Sequence, residues 1–279
     1  MSNLTINHDK FFEQIQVVLD MNALFRNTID NPDLMFPQAN FVLEEYNETI
    51  ERGILHKDKK ELVDGLADIF VTASFLSYLL SGNMEKFKET YNKQFNMYEN
   101  MLKNNEELKT NKQFVTYLQD IIGLTVLVLN NKLDKVNNDL IFKMLMIFDY
   151  VNRNTHQEYI QLVIPHIQNK TQLMTDVIDE VNNSNMSKFP LTEDKTLADL
   201  DKDLKHIANK LGHDNVDYIV KNGRITYMDK ERNKFQKPLT FVEPNLAFAN
   251  SLNSLDDMVF KNQEVPAFVK PVHVITLSH

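Results

Sequence analysis

The sequence predicts an all-α protein, and three observations support that prediction. The chain of 279 residues contains only 6 Gly and 8 Pro, so residues that interrupt helices are scarce. Apolar residues recur at helical spacing through most of the chain before Pro190, as at Phe11, Ile15 and Val18. Apolar residues make up 43% of the chain and charged residues 25%, which is typical of a folded protein with a substantial buried core.

Composition and charge argue against several classes of function. A formal net charge of −9 argues against general binding to a nucleic-acid backbone, which requires a basic patch. The chain has no Cys, which excludes a disulfide framework and a thiolate metal site. The N-terminus lacks a signal-peptide pattern, and the most apolar run, IIGLTVLVL at 121–129, is about half as long as a membrane span. We therefore expect a cytoplasmic protein that binds neither nucleic acid nor membrane.

Periodicity and turn residues divide the chain into elements. The predicted helices span 9–27, 38–52, 59–80, 84–103, 112–130, 137–151, 156–168 and 171–188. Gly53 and HKDKK form a short turn between the second and third helices. Beyond Pro190 the sequence is richer in proline and in short extended segments, such as FVKPVHVITL at 268–277. The pair Asn222-Gly223 is typical of a hairpin turn.

The third predicted helix places acidic residues in an apolar setting. Glu61, Asp64 and Asp68 lie at positions i, i+3 and i+7, so they share one stripe of the helix. From Glu61 to Leu80 the helix contains no basic residue, and most of its other positions are apolar. Carboxylates clustered in such a setting lose hydration and repel one another. They must therefore raise their pKa values, pair with cations or bind a metal.

The second predicted helix offers a matching group of acids. Glu45 and Glu48 are i, i+3 neighbours, Glu44 and Glu48 are i, i+4 neighbours, and the apolar face lies opposite. The short turn permits an antiparallel helix pair in which both groups of acids face one cavity. Ligation by carboxylates alone suits Mg²⁺, or Mn²⁺ as the alternative, rather than zinc. Taken alone, EEYNE is also explained as a solvated helix face; the two groups together favour a metal site.

The acid spacing resembles that of the MazG-like, all-α nucleoside triphosphate pyrophosphohydrolases. Their pattern is EExxE, about a dozen residues, and then ExxD; here Glu44–Glu48 is followed by twelve residues and then by Glu61–Asp64. The segments EYNET, VDGLADIFV and DEVNNSNMSKF are similar to the phosphoribosyl-ATP pyrophosphohydrolase-like branch of that family, which is often met in phages. The segment at 222–246, NGRITYMDKERNKFQKPLTFVEPNL, resembles a lengthened form of the C-terminal tail of that branch.

The resemblance implies an Mg²⁺-dependent hydrolase that converts a (d)NTP to its monophosphate and pyrophosphate, in the host cytoplasm if the chain is phage-encoded. The metal ligands that it implies are Glu45, Glu48, Glu61, Asp64 and Asp68. The strict ExxD spacing selects Glu61 and Asp64. An EL.D pattern found in many relatives instead selects Asp68 and aligns Gly65 with a glutamate. All three acids of the third helix are therefore candidates.

The resemblance also implies contacts with the substrate. Asn185 and Lys188 of SNMSK would face the substrate phosphates, with Lys234 and Lys237 of the tail as further contacts. Lys188 would offset phosphate charge as a point charge on a flexible stem. From its position alone, Lys188 is equally well explained as a solvated lysine at the end of a helix.

Catalysis needs a group that accepts a proton from the attacking water. Glu48 or Glu45 is the expected base. Asn22, Phe25 and Gln38 are candidates for stacking or hydrogen bonding to the nucleotide base, although residues at such positions more often belong to the core or to a turn.

The resemblance further implies a division of the chain. Residues 1–90 and 171–189 would form the catalytic bundle, 91–170 a helical insertion packed on it, and 190–279 an irregular extension with a few short strands and the basic tail. Relatives complete their bundle by pairing subunits, so we expect a homodimer, or a monomer if the insertion completes the bundle. The alternatives in function are a catalytically reduced nucleotide-binding or protein-interaction module on the same scaffold, and an all-α dUTPase.

Overall fold

The structure is a computed structural model, and it describes residues 6–26, 28–104, 114–133, 136–163, 172–231 and 234–261. Its helices are α1 (His8–Phe25), α2 (Met35–Glu48), α3 (Lys59–Ser81), α4 (Met84–Asn104), α5 (Phe114–Leu129), α6 (Val136–Val163), α7 (Leu173–Met186) and α8 (Leu197–Leu211). Its strands are β1 (Val216–Lys221), β2 (Arg224–Asp229) and β3 (Lys234–Gln236). The prediction of a mostly helical protein is confirmed, with one small antiparallel sheet in the order β1-β2-β3.

The described residues form two compact units. Unit one consists of the described residues within Met1–Ile15, Asp30–Asp179 and Leu246–His279. Unit two consists of those within Gln16–Ile29 and Glu180–Asn245. The division passes through α1 and through α7.

Unit one is a helical assembly with α3 at its centre. Helix α3 packs against α2, α4 and α6, and α5 packs against α2 and α6. The aromatic ring of Phe70 on α3 lies 5.0 Å from that of Phe11 and 5.4 Å from that of Phe148, between ring centres. Such aromatic contacts bury large apolar surfaces and stabilise the core. Helices α5 and α6, which the sequence analysis assigned to an insertion, thus lie directly on the helix pair that carries the acids.

Helix α3 is also long and apolar enough, by composition, to cross a membrane. Within the described part of the chain, 78% of its most apolar window is buried inside the protein. The same composition is typical of the central helix of a folded core, which is the position that α3 holds in unit one.

Helix α6 corrects one prediction, because a single helix covers the described part of the region in which the sequence predicted two. Two polar residues in or next to the predicted gap between those helices form hydrogen bonds within the fold. The Asn152 side chain accepts a hydrogen bond from the backbone N–H of Met174 at 2.8 Å, and the Thr155 hydroxyl donates to the Val151 carbonyl at 2.8 Å. A polar residue with such partners need not end a helix.

Unit two contains the predicted hairpin and a helix that the sequence analysis missed. Strands β1 and β2 pair through Lys221 and Arg224, and Asn222 and Gly223 between them have φ values of 51° and 70°. Two successive positive φ values are the mark of a type I′ turn, so the hairpin prediction is confirmed. The segment predicted as extended at 268–277 lies outside the described residues.

The prediction of an irregular extension after Pro190 was wrong for residues Leu197–Leu211, which form α8. A reciprocal pair of hydrogen bonds between Thr196 and Asp199 begins this helix, and Gly212 ends it with φ 76°. The apolar face of α8 packs through Ile207 onto Ile225 and Tyr227 of β2. The signal was present in the sequence as the Thr-x-x-Asp spacing of a capping box.

Candidate metal centre

Helices α2 and α3 run antiparallel, as the sequence predicted. The Gln38 side chain on α2 donates to the Thr72 carbonyl on α3 at 2.8 Å. Just after the end of α2, Thr49 lies against Gly65, where an added β-carbon would lie 2.2 Å from Thr49 Oγ1. From Gln38 to Thr49 the residue numbers rise, whereas their contacts on α3 fall from Thr72 to Gly65. The two helices therefore run in opposite directions.

Helical backbone continues past α2 as far as Leu55, so the turn predicted at Gly53 begins later, at His56. The chain forms a π-helical segment at Thr49–Leu55, and the Thr49 hydroxyl donates to the Glu45 carbonyl at 2.6 Å. Helix α3 begins after Asp58, whose carboxylate accepts from the backbone N–H groups of Lys60 and Glu61 at 2.9 Å and 3.2 Å. A side chain at this position satisfies N–H groups that have no partner within the helix.

The contact between Thr49 and Gly65 determines which acids of α2 and α3 lie at the same height along the helix pair. Glu45 lies one helical turn before Thr49, and Asp68 lies about one turn after Gly65. Because the helices are antiparallel, both steps lead in the same direction along the interface. Residues i±3 and i±4 share a helix face, so Glu45 lies on the same face as Thr49 and Asp68 on the same face of α3 as Gly65.

A second pair of acids meets around Arg52. Its guanidinium Nη1 lies 2.9 Å from Glu48 Oε2 and 3.8 Å from Glu61 Oε2. The structure therefore brings together one acid from each predicted group, with a cation between them. Arg52 is not among the site residues predicted from the sequence; its i, i+4 spacing from Glu48 was the signal that could have found it.

Burial of the acids fits the apolar setting that the sequence predicted for α3. Glu45, Asp64 and Asp68 are half-buried, the Glu61 side chain is 31% exposed, and the Glu48 side chain is 54% exposed. Residues on both sides of the acid stripe, such as Leu62 and Leu66, are buried. The acids thus lie at the edge of the core.

The acids have the donor chemistry that a hard divalent cation requires. Carboxylate oxygens are the ligands that Mg²⁺ and Mn²⁺ prefer. Across the described ranges, however, no group of three or more His, Asp or Glu side chains is arranged to hold a metal ion. Ligation would therefore require side-chain movement from the arrangement seen around Arg52.

The packing at Gly65 explains why this chain has no side chain at the position that the second alignment pairs with a glutamate. The α-carbon of Gly65 is so close to Thr49 that a β-carbon would also lie 2.9 Å from Thr49 Cβ. A glutamate at position 65 does not fit this packing. Asp64, Asp68 and Glu61 remain the acids that α3 offers.

Two of the candidates for base recognition, Gln38 and Asn22, have structural partners in their own units. Gln38 is 4% exposed and binds the Thr72 carbonyl, as described above. Asn22, in unit two, is 8% exposed; its amide donates to the Val18 carbonyl at 2.9 Å and accepts from Arg26 Nε at 3.1 Å. Both amides therefore contribute to folding, and their contact with a nucleotide base stays a prediction.

The residues predicted to contact the substrate phosphates lie in unit two: Asn185, Lys188, Lys234 and Lys237. The Lys188 ammonium donates to Asn185 Oδ1 at 2.5 Å and lies 5.8 Å from the ring centre of Phe241. The Lys237 ammonium lies 4.0 Å from the centre of the same ring. Lys234 is exposed on β3. Phe241 holds two ammonium groups by cation–π contacts, and the sequence analysis had not identified it.

An open cleft lies elsewhere in unit one, at the end of α3 and the starts of α4 and α6. It has a volume of about 460 Å³ and is lined by Leu80, Ser81, Lys86, Glu89, Thr90, Lys93, Asn137 and Asn138. None of the predicted site residues lines this cleft.

Comparisons of the chain with protein-family models, with curated proteins and with solved structures found no match. The MazG-like resemblance therefore stays a prediction from the sequence.

Proposed function

We propose that unit one binds Mg²⁺ or Mn²⁺ through the acids of α2 and α3, and that the protein hydrolyses a nucleoside triphosphate to the monophosphate and pyrophosphate. The observation that supports this proposal is the register of the helix pair. Helix geometry starting from the contact between Thr49 and Gly65 supports positions for Glu45 and Asp68 at the same level of an antiparallel helix pair. Oxygen ligands supplied by two packed helices are a recurrent way to hold a catalytic metal ion.

The charge distribution supports the same proposal. Among the described residues, unit two contains eleven Lys or Arg residues and twelve Asp or Glu residues, whereas unit one contains thirteen and twenty-three, so nearly all of the excess negative charge lies in unit one. An excess of carboxylates raises the local concentration of cations around a surface. Unit one is therefore the part of the chain that favours binding of a divalent cation.

The chemistry follows from the groups present. A divalent cation neutralises phosphate charge and orients the triphosphate for in-line attack by water. Glu48 is the more exposed of the two candidate bases, and its carboxylate accepts from Arg52 in the structure. In the proposed reaction, Glu48 or Glu45 accepts the proton of the attacking water.

Incubation of the protein with each (d)NTP and Mg²⁺ tests the proposal, with nucleotides and pyrophosphate separated by ion-exchange chromatography. The expected products are monophosphate and pyrophosphate in equal amounts, with none formed in EDTA. Turnover of dUTP alone would favour the all-α dUTPase. Tight binding of one nucleotide without turnover of any nucleotide would reject hydrolysis and favour a binding module.

A further inference from the structure

The C-terminal part of unit one forms a strap, defined here as Leu246–Lys261, which lies on the helices of the same unit. It contacts α3, α5 and α6. Its buried apolar residues are Leu246, Ala249, Leu252, Leu255, Met258 and Val259. Regularly spaced buried side chains show that the strap is a packed part of unit one.

Lys59 anchors the strap to the first turn of α3. Its side chain is 13% exposed, and its ammonium group donates to the Leu252 carbonyl at 3.1 Å and to Asp256 Oδ2 at 2.9 Å. A cation in the first turn of a helix lies at the unfavourable end of the helix dipole. The strap offsets that cost because it supplies one carboxylate and one carbonyl to the buried ammonium.

Glu158 on α6 anchors the same part of the strap from a second helix. Its Oε1 accepts from the backbone N–H of Asn253 at 2.9 Å and from the Asn253 side chain at 3.0 Å. Its Oε2 accepts from the backbone N–H of Ser254 at 2.7 Å and from the Ser254 hydroxyl at 2.6 Å. One carboxylate thus caps the helical turn that begins at Asn253. Lys59 and Glu158 together bind a stretch of five strap residues.

We propose that the strap positions the turn of α3 that carries candidate metal ligands, so that docking of the strap and binding of a divalent cation are coupled. Lys59 lies two residues before Glu61, so the two side chains leave the helix about 200° apart. Lys59 is therefore a positioning residue and not a ligand: it holds the turn from the side away from the acids. This inference rests on the proposed metal site of unit one.

Coupling of this kind is reciprocal. Release of the strap loosens the turn that carries Glu61 and Asp64 and weakens cation binding. Cation binding in turn orders that turn and reduces opening of the strap. Both effects are measurable without catalytic activity.

The test measures Mn²⁺ affinity by electron paramagnetic resonance and hydrogen exchange of the strap amides by mass spectrometry. The variants are Lys59→Met and Glu158→Gln, with Lys60→Met as a control on the same turn of α3 and Lys59→Arg as a conservative replacement. We expect both strap variants to exchange faster in the strap and to bind Mn²⁺ roughly fivefold to tenfold more weakly. Lys59→Arg keeps the charge and is expected to restore most of the affinity, and Mn²⁺ is expected to slow strap exchange in the natural protein.

Two failures are distinguishable in this experiment. Faster strap exchange with unchanged Mn²⁺ affinity would overturn the coupling while leaving the metal site intact. Absence of Mn²⁺ binding to the natural protein would overturn both the metal site and the coupling. If Lys59→Met does not fold, Glu158→Gln and the milder Ser254→Ala decide the question, because they weaken the strap without removing the buried ammonium.

Discussion

Gly65 on α3 lies against Thr49 on the π-helical turn, so closely that a β-carbon on Gly65 would lie 2.2 Å from Thr49 Oγ1. The position requires the absence of a side chain, although the backbone there is ordinary helix. With the spacing of an α-helix, this contact gives a register in which Glu45 and Asp68 lie at the same level of the two helices. The candidate metal centre therefore depends on a glycine that carries no chemistry of its own.

Gly65→Ala is expected to destabilise the protein by about 1–3 kcal/mol, since overpacking at the helix interface outweighs the better helix propensity of alanine. The matched control is Gly123→Ala on α5, where an added β-carbon meets nothing within 4 Å. That substitution is expected to stabilise by about 0.5–1 kcal/mol. Urea unfolding measures both changes. The same sign at both positions would contradict the close approach of α2 and α3.

Glu45→Gln and Asp68→Asn are each expected to weaken Mn²⁺ binding more than about tenfold, because each removes one charged oxygen ligand from the site. The rate of pyrophosphate release from a nucleoside triphosphate is expected to fall together with the Mn²⁺ affinity. Glu51→Gln, an exposed acid on the π-helical segment between α2 and α3, is the control and is expected to change neither quantity. Metal titration followed by electron paramagnetic resonance gives the affinities. Equal loss in the control would show that general charge, and not ligation, sets the affinity.

Arg52→Gln is expected to tighten Mn²⁺ binding roughly twofold to fivefold, because Arg52 competes with the cation for Glu48 and Glu61. The effect is small because the Arg52 side chain is 57% exposed, so solvent screens its ion pairs. Arg52→Lys retains the charge and should bind Mn²⁺ with nearly the natural affinity. Weaker binding by Arg52→Gln would mean that Arg52 supports the metal site and does not compete for it.

Asp203 in unit two controls stability at acid pH. Burial alone raises its pKa, but hydrogen bonds from Lys195, Tyr227 and the Leu239 backbone N–H outweigh burial and lower the pKa below its ordinary value of 3.8. A lowered folded-state pKa contributes stability that is present above the ordinary pKa and is lost as the pH falls through the folded value. We therefore expect unit two to lose stability below about pH 4.

Asp203→Asn is expected to cost about 3 kcal/mol near neutral pH, because it leaves the Lys195 ammonium, 6% exposed, without its carboxylate. It should also flatten the acid dependence of unfolding. Asp201→Asn is the control: its carboxylate, 63% exposed, pairs with Lys205 at the surface, and its loss should cost less than about 1 kcal/mol. Thermal unfolding between about pH 2 and pH 7 measures both. Equal losses would contradict the buried pairing of Asp203.

Local patterns in the sequence determined much of the secondary structure of this protein and the helix face on which the α3 acids lie. Apolar spacing of 3.6 residues determined α3, and the same spacing placed Glu61, Asp64 and Asp68 on one half-buried stripe. The Asn222-Gly223 pair determined the hairpin turn, because only residues that tolerate positive φ fit there. These features depend on neighbours within a few positions, which a single sequence displays directly.

Only the tertiary structure decided which groups meet. It placed Arg52 between Glu48 and Glu61, closed α2 onto α3 at Gly65, and seated the strap on Lys59 and Glu158. The Lys59 and Glu158 contacts with the strap join residues about one hundred or more positions apart, and each depends on packing that periodicity does not encode. Helix propensity placed the acids on two helices, whereas interhelical packing decided how those acids face each other.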